Sequence, residues 1–188
     1  MGVGILLFAV AVGCMDDASD SGAEYEPELI TLTDWELSPL EYDPYEDHQP
    51  EEVLCPVSAF RIESAQLEVE MDLCNYASLQ FTAQQFVAKG TAVELLLLHT
   101  GLWAPVAGQA HVSLLIDGEV FFEETPNIPA QAQFFFHETE LSADLEEGAP
   151  IHVHIHGSLS SEEDAEDTGE ASRHGANDWR IGYFNRKD

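Results

Sequence analysis

Apolar residues in the C-terminal two thirds of this chain recur at every second position, and no stretch keeps a 3.6-residue rhythm over the length of a helix. Period two places apolar side chains on one face of an extended strand and polar ones on the other, so it predicts an all-β fold. Ala65, Leu67, Val69 and Met71 alternate with Gln66, Glu68 and Glu70. Leu79-Gln80-Phe81 follows, and Val93–His99 is nearly continuous apolar, as in a strand covered on both faces. His111–Ile116 and Glu119–Glu123 flank Asp117-Gly118, which suits a type I′ hairpin turn because both central residues of that turn need positive φ. Gln131–Thr139, Pro150–His156 and Trp179–Phe184 complete the set. Short strands punctuated by Gly, Pro, Asn and Asp predict one antiparallel β-sandwich, either a jelly roll or immunoglobulin-like. Residues 83–90 read as the exception, a helical turn closed by Gly90.

The N-terminus has a different character. An apolar stretch, Val3–Val12, stops at Gly13-Cys14 and gives way to Met15-Asp16-Asp17. About ten apolar residues cannot span a bilayer as a helix, which needs ~20; the length is that of a signal-peptide core. Ala11-Val12-Gly13-Cys14 resembles the lipobox of bacterial lipoproteins. The resemblance implies a signal peptide over 1–13, acylation of Cys14 and a lipid anchor in the cell envelope. Met15 after the cysteine resembles outer-membrane sorting. With its acidic spacer and β domain, the chain resembles surface lipoproteins that carry an acidic tether and a β-sandwich.

Residues 14–54 read as that tether: fourteen Asp or Glu from 15 onward, no Lys or Arg, and Pro27, Pro39, Pro44 and Pro50 between them. Tyr25, Leu29, Ile30, Leu32, Trp35, Leu37, Leu40, Tyr42 and Tyr45 are interleaved, so parts of it have apolar surface with which to dock. The domain is expected over 55–188, interrupted by an acidic flexible insert at 158–172 that carries six acids between Glu162 and Glu170. That run lacks the alternating ligand spacing of a calcium loop. Net charge is −30, from 36 acidic against 6 basic residues, which excludes nucleic acid as a partner. Membrane lipid, through Cys14, and an envelope protein or saccharide remain. Cys55 and Cys74 are a pair in an exported chain and read as a disulfide, adding about 3 kcal/mol by loop closure.

The densest chemistry lies in Ile151-His152-Val153-His154-Ile155-His156. On a strand, His152, His154 and His156 share one face, with successive Cα atoms ~6.6–6.8 Å apart. Two such imidazoles can converge on one ion at Zn–N of about 2.0–2.1 Å. A flat strand cannot bring in the third, so a site takes two of them and a ligand from another strand: His99, His111, His137 or His174. The H-x-H spacing resembles the strand ligands of cupins and of carbonic-anhydrase-type zinc sites. The cupin pattern continues to a Glu, where this chain has Gly157-Ser158. The alternatives are a half-buried strand with a histidine face, and a pH switch in which abundant acid favours protonated rings. If Pro150–His156 and the strand from Trp179 pair as a hairpin, the histidines, His174 and Trp179 share one end, and Trp179 offers a platform for a ligand.

No nucleophile elbow, phosphate loop, H-E-x-x-H or Cys/His pair is present, and no pair of carboxylates stands out. Two functions fit: a non-catalytic, membrane-anchored binding or envelope-interaction protein, or a metal-binding protein or metal-dependent enzyme using the histidine strand and an ion such as zinc. The lipobox reading has a direct consequence. The mature chain should begin at an acylated Cys14 by mass spectrometry, and Cys14→Ala should leave the membrane fraction; a mature terminus elsewhere overturns it.

Overall fold

The computed structural model describes residues 28–39, 43, 45–104, 107–158 and 178–187. Among these, eleven strands form two antiparallel sheets packed face to face as a jelly-roll-like sandwich. The strands are β1 (Glu36–Leu37), β2 (Phe60–Glu63), β3 (Gln66–Val69), β4 (Tyr76–Thr82), β5 (Ala92–Leu102) and β6 (Gly108–Ile116). They continue with β7 (Glu119–Glu124), β8 (Asn127–Ile128), β9 (Ala130–Glu140), β10 (Pro150–Ser158) and β11 (Trp179–Arg186). One sheet runs β1-β4-β10-β6-β7, with β8 also on β6, and the other runs β2-β3-β11-β5-β9.

The period-two pattern determines which faces meet. Ile151, Val153 and Ile155 of β10 point inward beside Val112 and Leu114 of β6 and Leu79 and Phe81 of β4. Opposite them lie Leu67 and Val69 of β3, Val93, Leu95 and Leu97 of β5, and Trp179, Ile181 and Phe184 of β11, all buried. Strict alternation along β11 would turn Tyr183 inward. A register shift between Ile181 and Tyr183 turns Phe184 in instead. Gly182 sits at the shift, where a Cβ would lie 2.9 Å from Leu96 Cδ2. The β6–β7 hairpin turns at Asp117-Gly118, both with positive φ (49° and 80°), as the sequence predicts. The β2–β3 hairpin turns on Ser64-Ala65 at φ 52° and 58°, which no Asn-Gly or Asp-Gly pair announces. Cys55 and Cys74 are bridged.

Several expectations change. Residues 83–90 hold no helix: Val87 bridges Leu145, each backbone N–H donating to the other's carbonyl at 2.8 Å. Gly90 turns at φ +82° to begin β5. The strands β10 and β11 are not a hairpin but belong to opposite sheets, because the inward faces of both are apolar and each needs the other's sheet to cover it. The insert at 158–172 lies outside the described residues except for Ser158, as do His174, Cys14 and the segment 1–13.

The largest change concerns the acidic segment. From Glu28 onward it belongs to the sandwich, so the domain begins well before 55. Leu29 and Ile30 are fully buried in the core, and Leu32 nearly so. Leu29 N–H donates to Phe184 O at 2.9 Å, and Trp35 packs its ring on Phe60 with centroids 4.5 Å apart. β1 pairs with β4, extending the sheet by one short edge strand. The interleaved apolar residues supply the burial that charge density alone denied. Leu29→Ala should therefore cost about 2–5 kcal/mol in urea unfolding; a loss near zero would return this segment to the status of a spacer.

Candidate metal centre

The outer face of the β1-β4-β10-β6-β7 sheet carries the polar side of the histidine strand. In register across it, His154 lies between Ser78 of β4 and Ser113 of β6, while His156 lies between Tyr76 and His111. Two serines beside one imidazole leave a depression. Ser38, Asp43 and residues 45–50 lie against this face: Ser38 N–H donates to Ser78 O at 2.9 Å, and Tyr45 Oη reaches Glu123 Oε1 of β7 at 3.4 Å. The crossing segment ends in a single 3-10 turn, Glu46–His48. From there the chain returns to β4, where Asn75 accepts from Leu54 N–H at 2.8 Å and donates to Glu52 O at 2.9 Å.

Asp43 pins the crossing. It is buried, accepts the Tyr76 hydroxyl at 2.7 Å and the Tyr45 backbone N–H at 2.8 Å, and lies 3.7 Å from His154 Nδ1. Burial, then Asp43, pushes the Tyr76 phenol far above its ordinary pKa, so it stays a donor. Burial, with smaller contributions from Glu123 and Asp43, also raises Tyr45.

His48 of the segment and His111, His154 and His156 of the sheet each offer a ring nitrogen within 4.8 Å of the others. His111 Nε2 sits 2.7 Å from Glu123 Oε1, and its other nitrogen is buried without a hydrogen bond. His156 Nε2 lies 3.2 Å from His48 Nδ1. His154, fully buried, has neither nitrogen hydrogen-bonded. Tyr45 and Tyr76 press on its ring, each with centroids 4.7 Å away.

Electrostatics keep His154 and His156 neutral. Burial first, then the neighbouring His156, His111 and His48, lowers His154 to about 2. Burial, then the same crowding, lowers His156 to about 4, partly offset by the Gly157 backbone and Asp43. The expectation that abundant acid would favour protonated rings is thus reversed for His152, His154 and His156: most of the described acids are exposed to solvent, while these three rings are desolvated. Neutral imidazoles are the metal-binding form. A neutral donor set beside a buried carboxylate also balances much of a divalent charge.

Of the residues singled out from sequence, the structure gathers His111, His154 and His156. His152 shares their face and is buried but stands apart, with Nδ1 3.5 Å from Ser38 Oγ. His99 lies in the other sheet, packed on Trp179 with centroids 5.0 Å apart, and His137 packs on Phe121 at 5.2 Å. Trp179 is not a platform: it is fully buried, packed against His99 and Phe135, so no ligand reaches its face. His48, Asp43 and Tyr45 were hidden inside the acidic run. The only signal for them was the aromatic interleaving there.

No family model matches this chain, and no curated protein matches it. Among solved structures, a CBM4 carbohydrate-binding module aligns at 12% identity over 84% of this chain and 97% of its own, with a TM-score of 0.38. An enzymatically active tailspike domain of bacteriophage CBA120 aligns at 10% identity over 84% of this chain and 20% of its own, TM-score 0.41. A family two carbohydrate esterase from Clostridium thermocellum aligns at 10% identity over 72% of this chain, which spans 30% of its length, TM-score 0.34. Likeness of this order carries no argument about ligand or activity.

The Asp43–Tyr76 contact makes a prediction independent of any ligand. Tyr76→Phe removes the hydroxyl donor from a buried carboxylate and should destabilise the domain by about 1–3 kcal/mol in urea unfolding; no change would mean that Asp43 does not pin the segment.

Proposed function

We propose that this protein is a lipid-anchored envelope protein whose β-sandwich binds one transition-metal ion of the zinc class through His48, His111, His154 and His156. The observation that carries the reading is the fully buried His154, with both ring nitrogens unpartnered, among three further imidazole nitrogens within 4.8 Å. Buried polar atoms without partners cost about 1–3 kcal/mol each, and a metal ion is the partner that fits several converging lone pairs at once. Borderline ions such as Zn(II), Cu(II) or Ni(II) prefer imidazole, whereas calcium and magnesium prefer oxygen. Glu123 supports the same reading: a carboxylate on the far nitrogen of a ligating histidine orients the ring and raises its basicity. The anchor rests on Ala11-Val12-Gly13-Cys14 and would hold the site at the membrane surface.

Untagged protein should contain, or take up from added zinc, one equivalent by elemental analysis. His154→Ala should abolish stoichiometric loading, while His152→Ala, on the same face of the same strand, should retain it. Glu123→Gln should weaken affinity roughly 10–100-fold. Protein that takes up no metal, or equal losses from the His152 and His154 variants, overturns the reading.

A further inference from the structure

The four histidines are not equivalent. His111, His154 and His156 stand on long strands inside the sheet, with β10 paired on both sides, and all three are buried. His48 is exposed and ends a three-residue turn on the crossing segment. That turn closes on one backbone bond, His48 N–H to Tyr45 O at 2.8 Å; Tyr45 is anchored by Asp43 and Tyr76, whereas the His48 ring itself is held by stacking on Tyr45 at 5.1 Å and by its contact with His156 Nε2 at 3.2 Å. Moving a sheet histidine means breaking a strand ladder; moving His48 means opening a single turn.

Beside them is a pocket of about 450 Å³, within the range that small molecules occupy. His48, His111, His156 and Tyr76 form one wall, and Gln109 and Thr125 lie on its lining. His154 is behind that wall. A molecule entering the pocket therefore meets three of the four histidines, of which His48 alone stands on a short turn rather than a long strand.

We propose that His48 is a displaceable ligand, and that the pocket admits a small uncharged molecule whose nitrogen or oxygen lone pair takes its place on the metal. This rests on the metal reading above. Displacement breaks one metal–imidazole bond and forms one metal–donor bond; no proton or electron needs to move, since His48 leaves as a neutral ring. The charge preference comes from the lining, which carries no Lys, Arg, Asp or Glu side chain. The Asp43 and Glu123 carboxylates beside the histidines offset the metal's charge, no further cation lines the wall to draw an anion, and the net charge of −30 repels one on approach. The sheet triad is a three-histidine site with one position to give, the arrangement that open zinc sites use.

Cobalt(II) in place of zinc makes the coordination visible in its absorption spectrum, and the full chain loaded with cobalt is the material to use. 4-Methylimidazole should shift the spectrum saturably, whereas imidazole-4-carboxylate, the same donor with a charge, should not. His48→Ala should keep one equivalent of cobalt and bind 4-methylimidazole about tenfold or more tightly than wild type, because the probe no longer competes with an internal ligand. Gln109→Trp, which fills the pocket and leaves all four histidines in the chain, should keep cobalt and lose the response. Cobalt bound to wild type with a spectrum that no probe moves overturns this proposal alone. So does loss of cobalt from His48→Ala as complete as from His154→Ala with the β-sheet circular dichroism intact, or equal binding of the two probes. Wild type that takes up no cobalt overturns the metal reading, and this proposal with it.

Discussion

The Asp43 carboxylate holds together what two distant parts of the chain contribute. It accepts the Tyr76 hydroxyl from β4 and the Tyr45 amide from the crossing segment, and it faces the buried His154 ring. A buried carboxylate is costly unless hydrogen-bonded, so those donors and the segment that carries it are mutually required. Once Asp43 is in place, Tyr45 lies across His111 and His154, and His48 follows three residues later against His156. The outer sheet face becomes an interior. Remove the segment and the histidine strand would be an ordinary polar face in water.

The contrast between global and local electrostatics follows from that covering. A chain with net charge −30 would ordinarily favour protonated histidine. Among the described residues most acids are exposed to solvent, where screening weakens them over about 8–10 Å. The rings are packed among tyrosines and one another, so desolvation and mutual repulsion dominate, and His154 and His156 are held neutral far below their ordinary range. Local burial wins because it acts at contact distance and in low dielectric. Of the carboxylates near the rings, Glu123 hydrogen-bonds His111, while Asp43, 3.7 Å from His154, only partly offsets the effect of burial.

The strands were legible because each needs only its own alternation to show. Ile151, Val153 and Ile155 had to point one way and the histidines the other, whatever lay alongside. Asp117-Gly118 announced its hairpin for the same local reason, a backbone requirement met by two adjacent residues. Pairing was less legible. β10 and β11 are neighbours in the strand list yet sit in opposite sheets, a choice set by which apolar faces cover each other. Trp179 likewise read as a surface platform, since nothing in its immediate sequence records that Phe135 and His99 pack against it in the core. Residues 28–54 misled for a related reason: composition averages charge over a window, whereas burial is decided residue by residue at Leu29, Ile30 and Asp43.

By itself, then, the sequence determined the all-β class, the inward and outward faces of most strands, the Cys55–Cys74 pair and a histidine face on β10. These are properties of period two and of residue chemistry, both local. Only the tertiary structure decided that His111 stands opposite His156, that His152 is left out, and that His48 closes the group from a segment more than a hundred residues away in the chain. Convergence of four imidazoles is a non-local constraint: it depends on sheet register and on the path of a covering segment, and neither leaves a mark in the spacing of the residues themselves.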